Sequence, residues 1–175
     1  MLKLSGVAFT GLVAAAMPFA IPLAAAGATT LGPHAASCQN GGPAVIARVN
    51  GLKARTGVVR VQLYTDNKAT FLEKKQYVER VDVAATRSGA MDICVPVPKA
   101  GRYAISVRHD VDGNGKTSRA DGGGFSGNPS VSISDLALKR KPDINRVAFS
   151  VGNGARVVPV TLNYIQGLSF KPVGA

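Results

Sequence analysis

Apolar and polar residues alternate with a period of two over most of this chain. "AVIARVNGL" (44–52) leads through the basic turn "KARTG" into "VVRVQLY" (58–64), which sets Val59, Val61 and Leu63 on one face. Such alternation is what a half-buried strand requires, because successive side chains leave a pleated backbone on opposite sides. "YVERVDVAA" (77–85) and "MDICVPV" (91–97) continue the pattern, separated by "TRSGA". "RYAISVR" (102–108) places Tyr103, Ile105 and Val107 on one face and Ala104 and Ser106 on the other. "VAFSVG" (147–152), the turn "NGA" and "RVVPVTLNY" (156–164) complete the set. Pro159 cannot donate to a ladder, so its amide position belongs at solvent or a sheet edge. "NKATFLEKKQ" (67–76) and "SISDLALK" (132–139) each offer one helical turn. Seven short strands with polar turns and no strong amphipathic helix predict an all-β fold, a single antiparallel β-sandwich of about seven strands, immunoglobulin-like in architecture.

The N-terminal segment breaks this pattern. Lys3 precedes an apolar stretch running to about Ala26, and Ala24/Ala26 or Ala26/Ala28 fit a small-residue cleavage signal. The run is close to the ~20 residues of a membrane span, but Pro18 and Pro22 would interrupt a spanning helix. A lipid anchor on Cys38 is disfavoured because the apolar run ends too far upstream of it. Residues 1–26 therefore read as a signal peptide, with the mature chain starting at or near Gly27 or Thr29. A flexible leader (27–43), the sandwich domain (44–167) and a C-terminal tail (168–175) follow. The expected location is periplasmic or secreted, with no membrane span in the mature chain.

Export changes the meaning of the two cysteines. Cys38 and Cys94 make an even count, and an oxidising compartment lets them pair. A bridge would tie the leader to the "DICV" strand; the alternative is one buried and one exposed thiol. No second cysteine pair or histidine spacing makes a zinc site. The formal net charge of +11 is strongly basic, and cleavage would remove only Lys3. The cations are scattered ("KAR" at 53–55, "KK" at 74–75, "KRK" at 139–141), without a long basic block or interleaved aromatics. That distribution argues against nucleic acid and leaves an anionic envelope component or a protein as partner.

Candidate chemistry concentrates in "HDVDGNGKTSRADGGGFSGNP" (109–129). Counted from Asp110, the residues Asp110, Asp112, Asn114, Gly115, Lys116, Ser118 and Asp121 fall at positions one, three, five, six, seven, nine and twelve of an EF-hand-like calcium loop. Calcium takes six to eight oxygens, and this spacing wraps alternate ligands around one point. The flanks are no EF-hand, since a strand precedes the loop and "GGGFSGNP" follows it. The competing expectation is a long polar excursion in which Asp, Asn and Gly supply turn geometry. Lys116 and Arg119 oppose a cation. His109 beside Asp110 suggests half of an acid–base pair, with Ser106 or Ser126 as a nucleophile on paper, yet no G-x-S-x-G elbow is present. No Walker-type loop, H-E-x-x-H or dinucleotide fingerprint occurs.

"PKAGRYAISVRHDVDGNGKTSRADGGGFSGNP" (98–129) resembles the signature of the bacterial exported family catalogued as domain of unknown function 2141, in which a "GxYA" strand runs into "HDxNxNG" and a "GfS-n-P" segment follows. The resemblance extends more loosely from Ala44 to Tyr164. It departs at Val111 and Asp112, where "eN" is frequent, and at Gly127, which stands for an asparagine. The resemblance implies export and a small β-sandwich of transthyretin-like or carboxypeptidase-regulatory-like type, and brings no established activity. Sequence and resemblance together predict a non-catalytic exported module, binding or structural in the cell envelope and without a cofactor. The alternative is a calcium-dependent binding domain using residues 110–121, and a hydrolase using His109 ranks third.

Overall fold

The computed structural model describes residues 29–174. The expected signal peptide, residues 1–26, lies outside the described residues. The chain forms the all-β sandwich that its alternation predicts, with ten short strands in two packed sheets among the described residues. In the smaller sheet β1 (Ala44–Asn50) lies between β4 (Met91–Pro96) and β8 (Ala155–Thr161). The larger sheet runs β10 (Ser169–Lys171), β9 (Asn163–Gln166), β6 (Gly122–Phe125), β5 (Gly101–Asp110), β2 (Val58–Thr65), β3 (Glu79–Ala84). β7 (Phe149–Val151) adds to the start of β5.

The inward faces meet in one core. Val45, Ala47 and Val49 of β1 and Met91, Ile93 and Val95 of β4 come from the small sheet. Val59, Val61 and Leu63 of β2 and Tyr103, Ile105 and Val107 of β5 come from the large one. Both triplets expected on β2 and β5 therefore face the core. Ala104 lies on the opposite face of β5 and joins a second cluster with Tyr64, Phe71, Ile144 and Val147. Arg48 closes the β1–β4 pair with a two-pronged ion pair to Asp92, both bonds 2.8 Å.

Four features depart from the pattern-based expectation. "RVVPVTLNY" is two strands: β8 pairs with β1 in one sheet, and after Leu162 β9 pairs with β6 and β10 in the other. The β1–β8 pairing is parallel, the one parallel pair between named strands among the described residues, where the other strand pairs are antiparallel. Residues 67–76 form turns rather than a helix, with Leu72 and Lys75 at positive φ. "GGGF" is a strand, although three glycines carry neither strand propensity nor alternation.

Other details agree with the sequence. Pro159 sits on edge strand β8, whose outer side bonds to Asn128: the Thr161 N–H donates to Asn128 Oδ1 at 2.8 Å. α1 (Ile133–Ala137) fills the helical turn expected at 132–139 and is capped reciprocally by Ser132 and Asp135. A second short helix, α2 (Ile144–Val147), buries Ile144 and Val147 against the outer face of the large sheet.

The ends of the described chain are docked. Leu31 bridges to Ile93 on the free edge of β4, its N–H donating to the Asp92 carbonyl at 2.7 Å and its carbonyl accepting from Cys94 at 3.0 Å. One 3₁₀ turn, Ala35–Cys38, then delivers Cys38 to its bridge with the fully buried Cys94, Cα atoms 6.0 Å apart. The described part of the leader thus covers a strand edge that would otherwise expose unpaired backbone groups. Residues 169–171, expected in the tail, form the last strand of the large sheet.

Candidate functional site

The Asp110–Asp121 loop leaves the end of β5 and returns as β6. Alternation along β5 decides which side chains reach it. His109 points into the core, while Arg108 and Asp110, two residues apart, share the outer face and pair at 3.0 Å. The acid–base pair suggested by the sequence neighbours His109 and Asp110 is therefore not formed, because adjacent strand residues project to opposite sides.

His109 is fully buried and both ring nitrogens are engaged. The Thr56 carbonyl, 2.9 Å from Nε2, can only accept, so Nε2 carries the hydrogen. The Tyr164 hydroxyl accepts from the Lys53 N–H at 3.1 Å and donates to Nδ1 at 2.6 Å. Burial pushes the Tyr164 phenol up, which keeps that donor in place. The chain of bonds from Lys53 through Tyr164 and His109 to Thr56 ties the β1–β2 turn to β5 and β9. Ser126 is equally committed: its hydroxyl accepts from the Ile105 N–H at 2.9 Å and donates to the Val147 carbonyl at 2.6 Å. Neither nitrogen of His109 faces Ser106 or Ser126.

The loop itself brings three of the expected ligands together. One carboxylate oxygen each from Asp110, Asp112 and Asp121 lies within 4.8 Å of the others. Two ligands on opposite sides of a calcium ion at ~2.4 Å are separated by at most ~4.8 Å, so the three span no more than one ion's coordination sphere. Asp110 and Asp121 are buried, at 3% and 6% exposure, and Asp112 faces solvent. Asp110 Oδ2 accepts from the Gly115 N–H at 2.9 Å and from Arg108, whereas Oδ1 is buried with no hydrogen-bond partner. Asp121 accepts from the Val111 and Ser118 N–H groups at 3.2 and 2.8 Å. Burial alone would raise the Asp110 carboxyl; the Gly115 N–H, the neighbouring Asp112 side chain and the Arg108 guanidinium together outweigh it and hold the group below the usual carboxylate range.

Asn114, Lys116 and Ser118 shape the loop. Asn114 donates through its backbone and its amide to Asp112, at 3.2 and 2.6 Å, and accepts from the Lys116 N–H at 2.7 Å. Ser118 Oγ accepts from the Ala120 N–H at 3.2 Å. The Lys116 and Arg119 side chains are exposed.

Residues outside the ligand spacing support the site. Thr56 Oγ1 donates to the Val111 carbonyl at 2.9 Å. Gly57, at φ +73°, lets the β1–β2 turn pass so close that a Cβ there would lie 1.9 Å from the Asp110 carbonyl. Arg108 Nη1 donates to Thr117 Oγ1 at 3.1 Å, and Nη2 donates to Asp110 and to the Gly115 carbonyl at 3.2 Å. Alternation along β5 is the signal that would have found Arg108. Thr56 and Gly57 leave no such trace, since they meet the loop only through the fold.

The family model described as "Uncharacterized protein conserved in bacteria", domain of unknown function 2141, matches residues 47–158. The chain belongs to this family. The match runs from β1 into β8 and takes in the whole Asp110–Asp121 loop. No curated protein and no solved structure matches the chain.

Proposed function

We propose that this member of the family is an exported, non-catalytic β-sandwich module of the cell envelope whose Asp110–Asp121 loop holds one calcium ion. The observation that carries it is the meeting of three carboxylates within one ion's coordination sphere, one of them with a buried oxygen that no donor satisfies. A buried, unsatisfied carboxylate oxygen is costly, and a hard cation offsets that cost. An all-oxygen set without histidine or cysteine favours calcium over zinc or copper. Engagement of both His109 nitrogens supports the non-catalytic character. The bridged cysteines support an oxidising location, and the basic composition supports an anionic envelope partner.

The affinity is expected to be weak. Asp121 is one methylene shorter than the bidentate glutamate of an EF-hand, and Arg108 already occupies one oxygen of Asp110. A dissociation constant of roughly 10⁻⁴–10⁻³ M follows, the range of extracellular modules. At about 10 mM calcium this stabilises the fold by roughly 1.4–2.7 kcal/mol. Thermal melts of chelator-stripped protein with and without calcium test it: Asp110→Ala with Asp112→Ala should abolish the upward shift. A melting temperature indifferent to calcium would leave the loop as a polar turn.

A further inference from the structure

Arg108 reaches the candidate ion site from the strand side and is only partly exposed. Its two terminal nitrogens grip Asp110, the Gly115 carbonyl and Thr117, while its Nε is buried without a partner. A guanidinium fork that leaves one N–H unsatisfied is poorly arranged for its own solvation and well arranged to neutralise the loop. We infer that Arg108 is a tethered cation that competes with calcium for Asp110 and sets the affinity of the site. The inference rests on the calcium proposal above and adds the residue that tunes it.

Two effects oppose each other when Arg108 is removed. The repulsion between its single charge and a divalent ion disappears, and so does its contribution to loop order. The first effect wins, because every carboxylate of the cluster keeps other bonds. Asp110 retains the Gly115 N–H, Asp112 retains Asn114, and Asp121 retains the Val111 and Ser118 N–H groups. A unit and a double charge about 6 Å apart in a water-like dielectric repel enough to change affinity by roughly tenfold.

The test is isothermal titration of calcium into the chelator-stripped mature protein, wild type against Arg108→Gln. Hydrogen exchange of residues 110–121 in chelator provides the second readout. Arg108→Gln should bind calcium roughly tenfold tighter while its loop exchanges faster in chelator. Arg108→Met, likewise uncharged, carries the same expectation if the amide variant does not fold. Calcium binding by the wild type with equal or weaker binding by the variants overturns the inference and leaves the ion site standing. Binding by neither protein overturns the ion site and the inference together.

Discussion

The three glycines of β6 are neighbours in sequence with different jobs, and alanine substitution should separate them. A Cβ at Gly122 would lie 2.5 Å from the Tyr164 ring, and one at Gly124 would lie 2.7 Å from the Thr161 carbonyl. A Cβ at Gly123 meets nothing closer than the Phe170 ring edge at 3.5 Å, an ordinary contact. Tyr164 cannot swing away freely, since it is fully buried and its hydroxyl is fixed between Lys53 and His109. Gly122→Ala must therefore displace the ring and break a buried hydrogen bond. Overpacking costs about 1–3 kcal/mol and a lost buried bond about 1–3 kcal/mol. Replacing glycine returns about 0.4–1 kcal/mol through the unfolded chain. The net loss is about 1–6 kcal/mol, a fall in urea midpoint of about 0.5–3 M at an m-value near 2 kcal/mol/M. Gly124→Ala should lose a comparable amount against backbone, while Gly123→Ala should lose nothing and gain at most about 1 kcal/mol. Equilibrium urea unfolding followed by circular dichroism measures all three. Equal losses at 122 and 123, or none at either, would refute the steric account of this strand.

Two further outcomes follow from the bridge and from a clamped carboxylate. In protein exported by a bacterial host, intact mass should show a start near Gly27 or Thr29 and a Cys38–Cys94 bridge. Cys94→Ser should cost about 4 kcal/mol on the chain-entropy estimate for a loop closed over a separation of 56 residues. Burial would raise the Asp82 carboxyl, but hydrogen bonds from Arg80 and Arg60 outweigh it and bring it from 3.8 down to about 2. A carboxyl depressed in the fold contributes fully above its unfolded pKa and loses that contribution as pH falls through the folded one. Stability should therefore drop between about pH 4 and pH 2, and Asp82→Asn should flatten that drop in denaturant titrations run across the window.

Local information in the sequence was enough for the sandwich class, the inward triplets of β2 and β5, the edge position of Pro159 and the helical turn at α1. Each depends on residues a few positions apart, as in the period of the pleat or a missing N–H; the reciprocal cap of α1 emerged only with the structure. The same alternation also separates His109 from Asp110, one in the core and one at the loop. The pairing of Cys38 with Cys94 was legible from their even number and the export that the N-terminal pattern leads one to expect. What only the tertiary structure decided involves partners distant in the chain. β6 is a strand because bare glycine backbone is what fits against Tyr164 and Thr161, some forty residues later. "RVVPVTLNY" divides at Leu162 because its two halves complete different sheets. Spacing alone marked Asp110, Asp112 and Asp121 as candidate ligands. Their convergence depends on β6 returning beside β5, and on Gly57 letting a turn from fifty residues earlier press against the loop. Alternation records which way a side chain points, while the identity of what it meets is set by long-range pairing and close packing.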